Sequence, residues 1–301
     1  DHAYLKYRNI LLNHNYTIIK VDQVTTPPNP ERDVTEIISP ATIIDTFNQS
    51  DTNYLFSIYI TNYPSIHGEK INTAGVSVID IATGKNSVHR IKSSKEDQKM
   101  WDDEIYRLIQ YYNPSEFIVH FDESEFQFSK EQLSQMWSVN EGRIHLNLTK
   151  SKEYLKISYQ NEFLSRYFKN NEYLSSIESL GFERDTEITL SYIYMLQFIH
   201  EHKIENTMSL HRPEFKHNQK YLLLSHNCVE QLNVIDNYST SSEKYSSLLS
   251  LLNKCSTAIG RRLCKERLLY PILNTNQLNE RYDSIELFQT KENEKYIYEL
   301  C

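Results

Sequence analysis

At 301 residues with a formal net charge of -8, the chain is too long for one small domain and lacks the basic footprint of a protein lying on phosphates along its whole surface. Its composition, 39% hydrophobic and 24% charged at a mean hydropathy of -0.58, excludes a disordered chain, and no apolar run approaches the roughly 18 residues of a membrane span. Four cysteines, Cys228, Cys255, Cys264 and Cys301, are too few to staple a fold of this size and form no C-x-x-C, which points to free thiols in a reducing, intracellular compartment.

The chain opens Asp1-His2-Ala3-Tyr4 without Met or an apolar leader, as an internal piece of a longer protein would. Tyr4, Tyr7, Ile10 and Leu11 fall at helical spacing, Asn13 to Asn15 make a loop, and Tyr16 to Val21 is β-rich. Pro27, Pro28, Pro30 and Pro40 then punctuate a connection in which Val34 to Ile38 alone are free to extend, because proline lacks an N-H and biases its predecessor away from helix.

From Asn53 to about Leu148 strands alternate with helices. "YLFSIYI" (54 to 60), "AGVSVIDI" (74 to 81) and "NSVHRI" (86 to 91) predict a three-stranded meander, with "ATGK" as a turn. Ser93 with Glu96 predicts a capping box for a helix ending before Pro114; "EFIVHF" (116 to 121) returns as a strand, Ser129 with Gln132 caps a second helix, and "RIHLNL" (143 to 148) is the last strand. The sum is a mixed sheet flanked by helices. From Lys152 the spacing turns helical through Leu155, Tyr159, Phe163 and Tyr167, then Ile188, Tyr192, Met195 and Ile199, so the second half is mainly α, interrupted by "YLLLS" (221 to 225). The expected divisions are 1–45, 46–150 and 151–301.

Near the end, "AIGRRLCKERLLYPILNTNQLNERYDSIELF" predicts a helix stopped by Pro271 and a second started by Asn274 with Gln277, its apolar face carrying Leu278, Tyr282, Ile285 and Phe288. Together they read as an antiparallel hairpin joined by "PILN". On the first helix Arg261, Arg262 and Lys265 share a solvated basic arc, Ile259, Leu263 and Tyr270 share another face, and the last turn around Leu268 and Leu269 is apolar nearly all round, as for buried packing.

Little of this suggests chemistry. The lone Gly84-Lys85 pair is followed by Asn86 and has Ile79 where a P-loop needs its first glycine, so no phosphate cradle of that kind is present. His200 and His202 in "HEH", like His226 and Cys228, stand at i and i+2, pointing about 200° apart on a helix rather than converging on a metal. Asp80 in a strand, Asp103 and Glu104 on the next helix and Asp122 after the following strand have the order in which an RNase-H-like sheet gathers carboxylates around divalent ions. A Mg-dependent nuclease using Asp80, Glu104 and Asp122 is therefore one alternative, solvent-facing acids and helix-dipole partners being its plainer counterpart.

The segment from "SLLSLLNKCSTAIGRRLCKERLLYPIL" through "IELF" resembles the core of the MutS family of DNA mismatch repair proteins, matching at Leu252, Thr257, Gly260, Arg262, Leu263, Leu268, Pro271, Arg281, Asp283 and Ile285. The likeness extends backward: "YLKYRNILLNHNYTIIKVDQV" is similar to the end of the mismatch-recognition domain, "PERDVTEIISPAT" to its bridge, "VSVIDIATG" with "NPSEFIV" to an RNase-H-like connector, and "NVIDN" (233 to 237) to the point where the core resumes. The composition and the proline-rich bridge resemble the branch of giant viruses and octocoral mitochondria.

The resemblance implies an RNase-H-like connector followed by the start of an α-helical core or lever domain, with Gly260, Arg262, Leu263, Pro271, Arg281 and Asp283 as structural hairpin residues. Arg32 matches an arginine that approaches the DNA backbone, though Asp33 and Glu36 replace basic neighbours; Ala41 stands where the family has glycine. The intact protein is then expected to bind mismatched double-stranded DNA as a homo- or heterodimer and to use ATP and Mg²⁺, with a MutL-like partner docking on the connector and no membrane. This chain would supply linkage without chemistry, catalytic and metal residues being none. A non-catalytic protein-interaction module remains a further alternative, and cytoplasm, nucleus, mitochondrion and viral factory all stay open.

Overall fold

A computed structural model describes residues 2–26, 29–42, 53–64, 70–146, 152–168, 173–202, 210–216, 221–222, 224–235 and 245–288. Pro27, Pro28, Asn147, Leu148, part of "NVIDN" and the expected divisions at 45/46 and 150/151 lie outside them. The chain forms two compact units, residues 1–216 and 217–301.

The first unit opens with α1 (His2–Asn13) and a two-stranded antiparallel ribbon of β1 (Ile18–Gln23) and β2 (Arg32–Ile38). The helix forms where its spacing predicts. The face expected to pack is nevertheless exposed: Tyr7, Ile10 and Leu11 meet solvent, and only Leu12 is buried, with Ile38.

Six strands follow: β3 (Tyr54–Pro64), β4 (Lys70–Asp80), β5 (Asn86–Lys92), β6 (Glu116–Phe121), β7 (Ile144–Leu146) and β8 (Glu214–Lys216). Their order is β7-β6-β3-β4-β5-β8. The first three form the antiparallel meander, β6 runs parallel to β3, β7 to β6 and β8 to β5. This is the mixed, RNase-H-like sheet expected, lengthened at one edge by β8, which the helical reading of that region missed. Both faces are covered. Phe56 of β3 meets Tyr112 of α2 (Met100–Tyr112) edge-on at 5.5 Å, while Tyr59, on the other face by strand alternation, stacks on Tyr194 of α6 (Thr186–Glu201) at 6.2 Å. Each of the six residues of β6 is buried, as a strand covered on both sides requires.

Helix α6 decides where the unit ends. Ile188, Tyr192, Met195 and Ile199 are buried as expected, but so are Leu190, Ile193, Leu196 and Phe198, leaving almost no wet side. Each such side chain contributes about 1.5–3 kcal/mol of burial, so the helix is a layer of the sheet unit. That is why the compact unit runs past 150 to Lys216. The seat depends on Gly75 of β4: a Cβ there would lie 2.2 Å from the Glu187 carbonyl oxygen. Arg90 of β5 holds the same end of the helix through Asp185 (2.7 Å) and Glu187 (3.0 Å), and Ser77 meets Ser191 at 2.7 Å inside.

Among the described residues this unit's other α-helices are α3 (Lys130–Trp137), α4 (Ile157–Ser165) and α5 (Ser176–Leu180). Ser129 and Gln132 form the predicted capping box of α3. The box predicted from Ser93 and Glu96 does not form, because α2 starts only at Met100. Ser93 Oγ instead accepts the Trp101 N-H at 3.2 Å and donates to the Gln98 carbonyl.

The second unit contains α7 (His226–Gln231), α8 (Leu248–Leu252), α9 (Ala258–Leu269) and α10 (Thr275–Phe288). Helix α9 ends before Pro271 and Asn274 Oδ1 accepts the Gln277 N-H to start α10, both as expected, and Thr257 caps the start of α9. The packed hairpin is a different matter. Tyr282, Ile285 and Phe288 of α10 are exposed, as are Ile259 and Leu263 of α9, while Leu269, Tyr270 and Ile272 are buried. "PILN" is held by a bridge between Ile272 and Tyr221 and by the Leu222 N-H on the Pro271 carbonyl at 2.7 Å. Within the described residues the apolar faces expected to form the hairpin seam are therefore not packed on each other.

Candidate functional site

The three acids of the nuclease alternative are kept apart by the sheet. Asp80 lies opposite Tyr54 at the start of β3, whereas the Asp122 N-H reaches the Ile60 carbonyl past the middle of that strand. Six residues of strand, about 20 Å, separate them, against the ~4 Å between paired ions that shared carboxylates would require. Each acid also has local work. Asp80 accepts from the Ala82 N-H (3.1 Å) and Thr83 Oγ1 (2.8 Å) in the β4–β5 turn, Asp122 takes the Ser124 N-H and hydroxyl, and Glu104 is buried against Arg107 on α2. Among the described residues no three acids, histidines or cysteines are grouped to hold a metal. Asp80, Glu104 and Asp122 therefore do not form the shared metal site a nuclease of that kind needs.

Other candidates resolve in the same local way. His200 is exposed, and the His202 ring lies on the Phe198 carbonyl at 2.8 Å and stacks on Phe198, so "HEH" does not converge. His226 pairs with Glu230 at 3.1 Å one turn along α7. Gly84 takes a positive φ of 72° to close the β4–β5 turn, which explains the glycine without a phosphate.

What the structure does assemble, and the sequence did not advertise, is a junction between ribbon and sheet. Leaving β2, Ser39, Pro40, Ala41 and Thr42 form a turn in which Thr42 Oγ1 accepts the Ser39 N-H at 2.6 Å. Ala41 is fully buried and is not among the residues with positive φ, so this turn does not need the glycine of the family pattern. Glu116, 2% exposed at the start of β6, receives Ser39 Oγ at 2.5 Å and the Ala41 N-H at 2.9 Å, and its other oxygen meets His145 Nε2 of β7 at 2.8 Å. Asn53 adds bonds to the Pro40 and Ala41 carbonyls (3.0 and 2.8 Å) and is itself held by Ser115. A carboxylate that takes two donors from the crossing chain and one from β7 ties three segments at a buried point, where charge-assisted bonds are strong and an unpaired partner is costly.

Arg32 begins β2 and is exposed. Its ribbon is not basic: Asp33 faces Asp22, Glu36 faces Lys20, and Lys20 is held by Asp22 at 2.9 Å. Of the hairpin residues, Gly260 has a local reason to be glycine. Its N-H donates to the Thr257 cap at 3.1 Å, and a Cβ would lie 3.1 Å from both that oxygen and Cys255 Cβ. Arg262, Leu263 and Asp283 are exposed and Arg281 is half-buried; these are not drawn into one cluster with Pro271.

Comparison with known proteins adds what geometry alone does not. The family model described as MutS domain III matches residues 227–300. A mutS homolog of Acanthamoeba polyphaga mimivirus is 33% identical over 94% of this chain and 27% of its own length. The DNA mismatch repair protein MutS of Borrelia garinii subsp. bavariensis is 26% identical over 86% of the chain and 27% of its length, and that of Caldanaerobacter subterraneus subsp. tengcongensis 25% over 95% and 30%. The chain thus spans between a quarter and a third of the length of these relatives. With a family model on its second unit and relatives aligned along nearly all of both units, the chain belongs to the MutS family.

Proposed function

We propose that this chain serves DNA mismatch repair as the linking segment of a MutS-type protein, passing conformational change from a DNA-reading end to an ATP-using end. The observation that carries the reading is the alignment along 94% of the chain to a mutS homolog, together with the Glu116 junction where the ribbon is tied to the sheet. Transmission needs an element both ends can bias, and a single buried carboxylate joining ribbon, β6 and β7 makes one stiff point of that kind.

ATP and Mg²⁺ are expected for the intact protein, but this chain's residues do not fit the nucleotide: its one Gly-Lys pair closes a hairpin turn, so no step runs through it. Binding of mismatched double-stranded DNA, a dimer and a MutL-like partner on the sheet unit are parts of the same proposal. Among the described residues no helix is long and apolar enough to cross a membrane.

The test uses the full-length gene product. It should retain heteroduplex over homoduplex DNA and lose that preference's response to ATP in Glu116→Ala, while Arg32→Ala lowers the salt dependence of binding. Equal affinity for matched and mismatched duplexes would sink the reading, and an unchanged ATP response in a folded Glu116→Ala protein would remove the junction from it.

A further inference from the structure

One thiol of the second unit lies at a notch beside Gly260, and a second stands one turn further along the same helix face. Cys255 lies in the segment between α8 and the Thr257 cap of α9, and its Cβ and Sγ stand 3.1 and 3.3 Å from where a Cβ on Gly260 would be. Cys264 follows Gly260 by four residues, so it shares that face of α9, and a helical side chain leans back over the turn before it, here toward Gly260. Cys255 is exposed and Cys264 half-buried, and both are free.

We propose that Cys255 and Cys264 are a peroxide-responsive thiol pair that closes to a disulfide across Gly260, pinning the α8–α9 connection to the second turn of α9. This is independent of the mismatch repair reading. Cys255, the accessible thiol, attacks as thiolate: its S-O bond forms as the peroxide O-O bond breaks and hydroxide leaves. Cys264 then attacks the sulfenic sulfur, the S-S bond forms, the S-O bond breaks, and water departs with the Cys264 proton. Two thiols are oxidised by two electrons and one hydrogen peroxide is reduced. Burial, and then the neighbouring Cys255, raise the Cys264 thiol above its ordinary range, which suits it to the second, resolving step rather than the first. The movable partner is Cys255, since residues 253–256 belong to neither helix.

The full chain, treated with hydrogen peroxide, alkylated and mapped by mass spectrometry, is expected to show a 255–264 cross-link that is two hydrogens lighter and reversed by dithiothreitol. Cys228→Ser should leave it intact; Cys255→Ser and Cys264→Ser should abolish it. Gly260→Ala, whose Cβ would displace Cys255, should slow closure several-fold while circular dichroism shows α9 retained. Stable sulfenic or sulfinic acid at Cys255 with Cys264 still alkylated, cross-links dominated by Cys228 or Cys301, or closure at the same rate in Gly260→Ala would each overturn the proposal.

Discussion

Helix α6 in the first unit and helix α10 in the second come from similar sequence patterns and end in opposite environments. Both carry aromatic and aliphatic side chains at helical spacing. In α6 they are enclosed by the sheet and by α4, whereas Tyr282, Ile285 and Phe288 of α10 remain in solvent. Apolar spacing thus tells which side of a helix seeks cover, and only the surrounding chain decides whether cover is supplied. The enclosed helix also needed concessions that no periodicity predicts, chiefly the missing side chain at Gly75 and the charges of Arg90 and Glu187 at its end.

Four measurements would break or sharpen this contrast, and the tryptophans help. Trp101 and Trp137, the two in the chain, both belong to the first unit, so their fluorescence follows it alone. The largest effect is expected at α2. Glu104→Ala leaves the buried Arg107 guanidinium without that carboxylate and should lower the stability of the sheet unit by about 3–5 kcal/mol in urea titrations. Next comes Gly75→Ala, whose Cβ would overlap the Glu187 backbone; a loss of about 1–3 kcal/mol is expected, and a neutral result would mean that α6 is not seated as described.

The third is a pH profile. His120 is buried face to face with Tyr194 at 3.7 Å, neither ring nitrogen has a hydrogen-bond partner among the described residues, and burial pushes its pKa down to about 3. The unfolded chain binds this proton near pH 6.5 and the folded chain does not, so the stability it contributes is present above pH 6.5 and lost as pH falls toward 3, at up to ~1.4 kcal/mol per unit. His89, buried and also pushed down to about 3, adds a slope of the same sign. A His120→Phe protein should therefore lose less stability on acidification than the parent; identical profiles would contradict it. The smallest effect belongs to the second unit, where Ile285→Ser should change the helical circular dichroism melt by no more than about 0.5 kcal/mol.

Much of the fold is legible in the residues because local rules and tertiary structure agree there. "EFIVHF" becomes β6 without a residue's shift, Ser129 with Gln132 caps α3, and Thr257 and Pro271 bound α9. Legibility fails where long-range packing overrides local pattern. Ser93 could have capped a helix that in fact starts at Met100, and Glu214 to Lys216 is too short a run to announce an edge strand. The acid set illustrates the same limit for function: order along the chain suggests convergence, while register places Asp80 and Asp122 beside β3 residues six positions apart. The junction was hidden for a plainer reason. Glu116 reads as the first residue of a strand, and only the fold brings it to Ser39, 77 residues away.

The all-round enclosure of α6 has a mechanical corollary. A peg gripped on every side can neither roll nor slip along its axis without exposing oil to water, so the sheet and its helices should travel as one rigid block. The buried turn at Ser39 to Thr42, where the chain leaves the ribbon, is fastened to that block by one carboxylate acting as a latch and should travel with it.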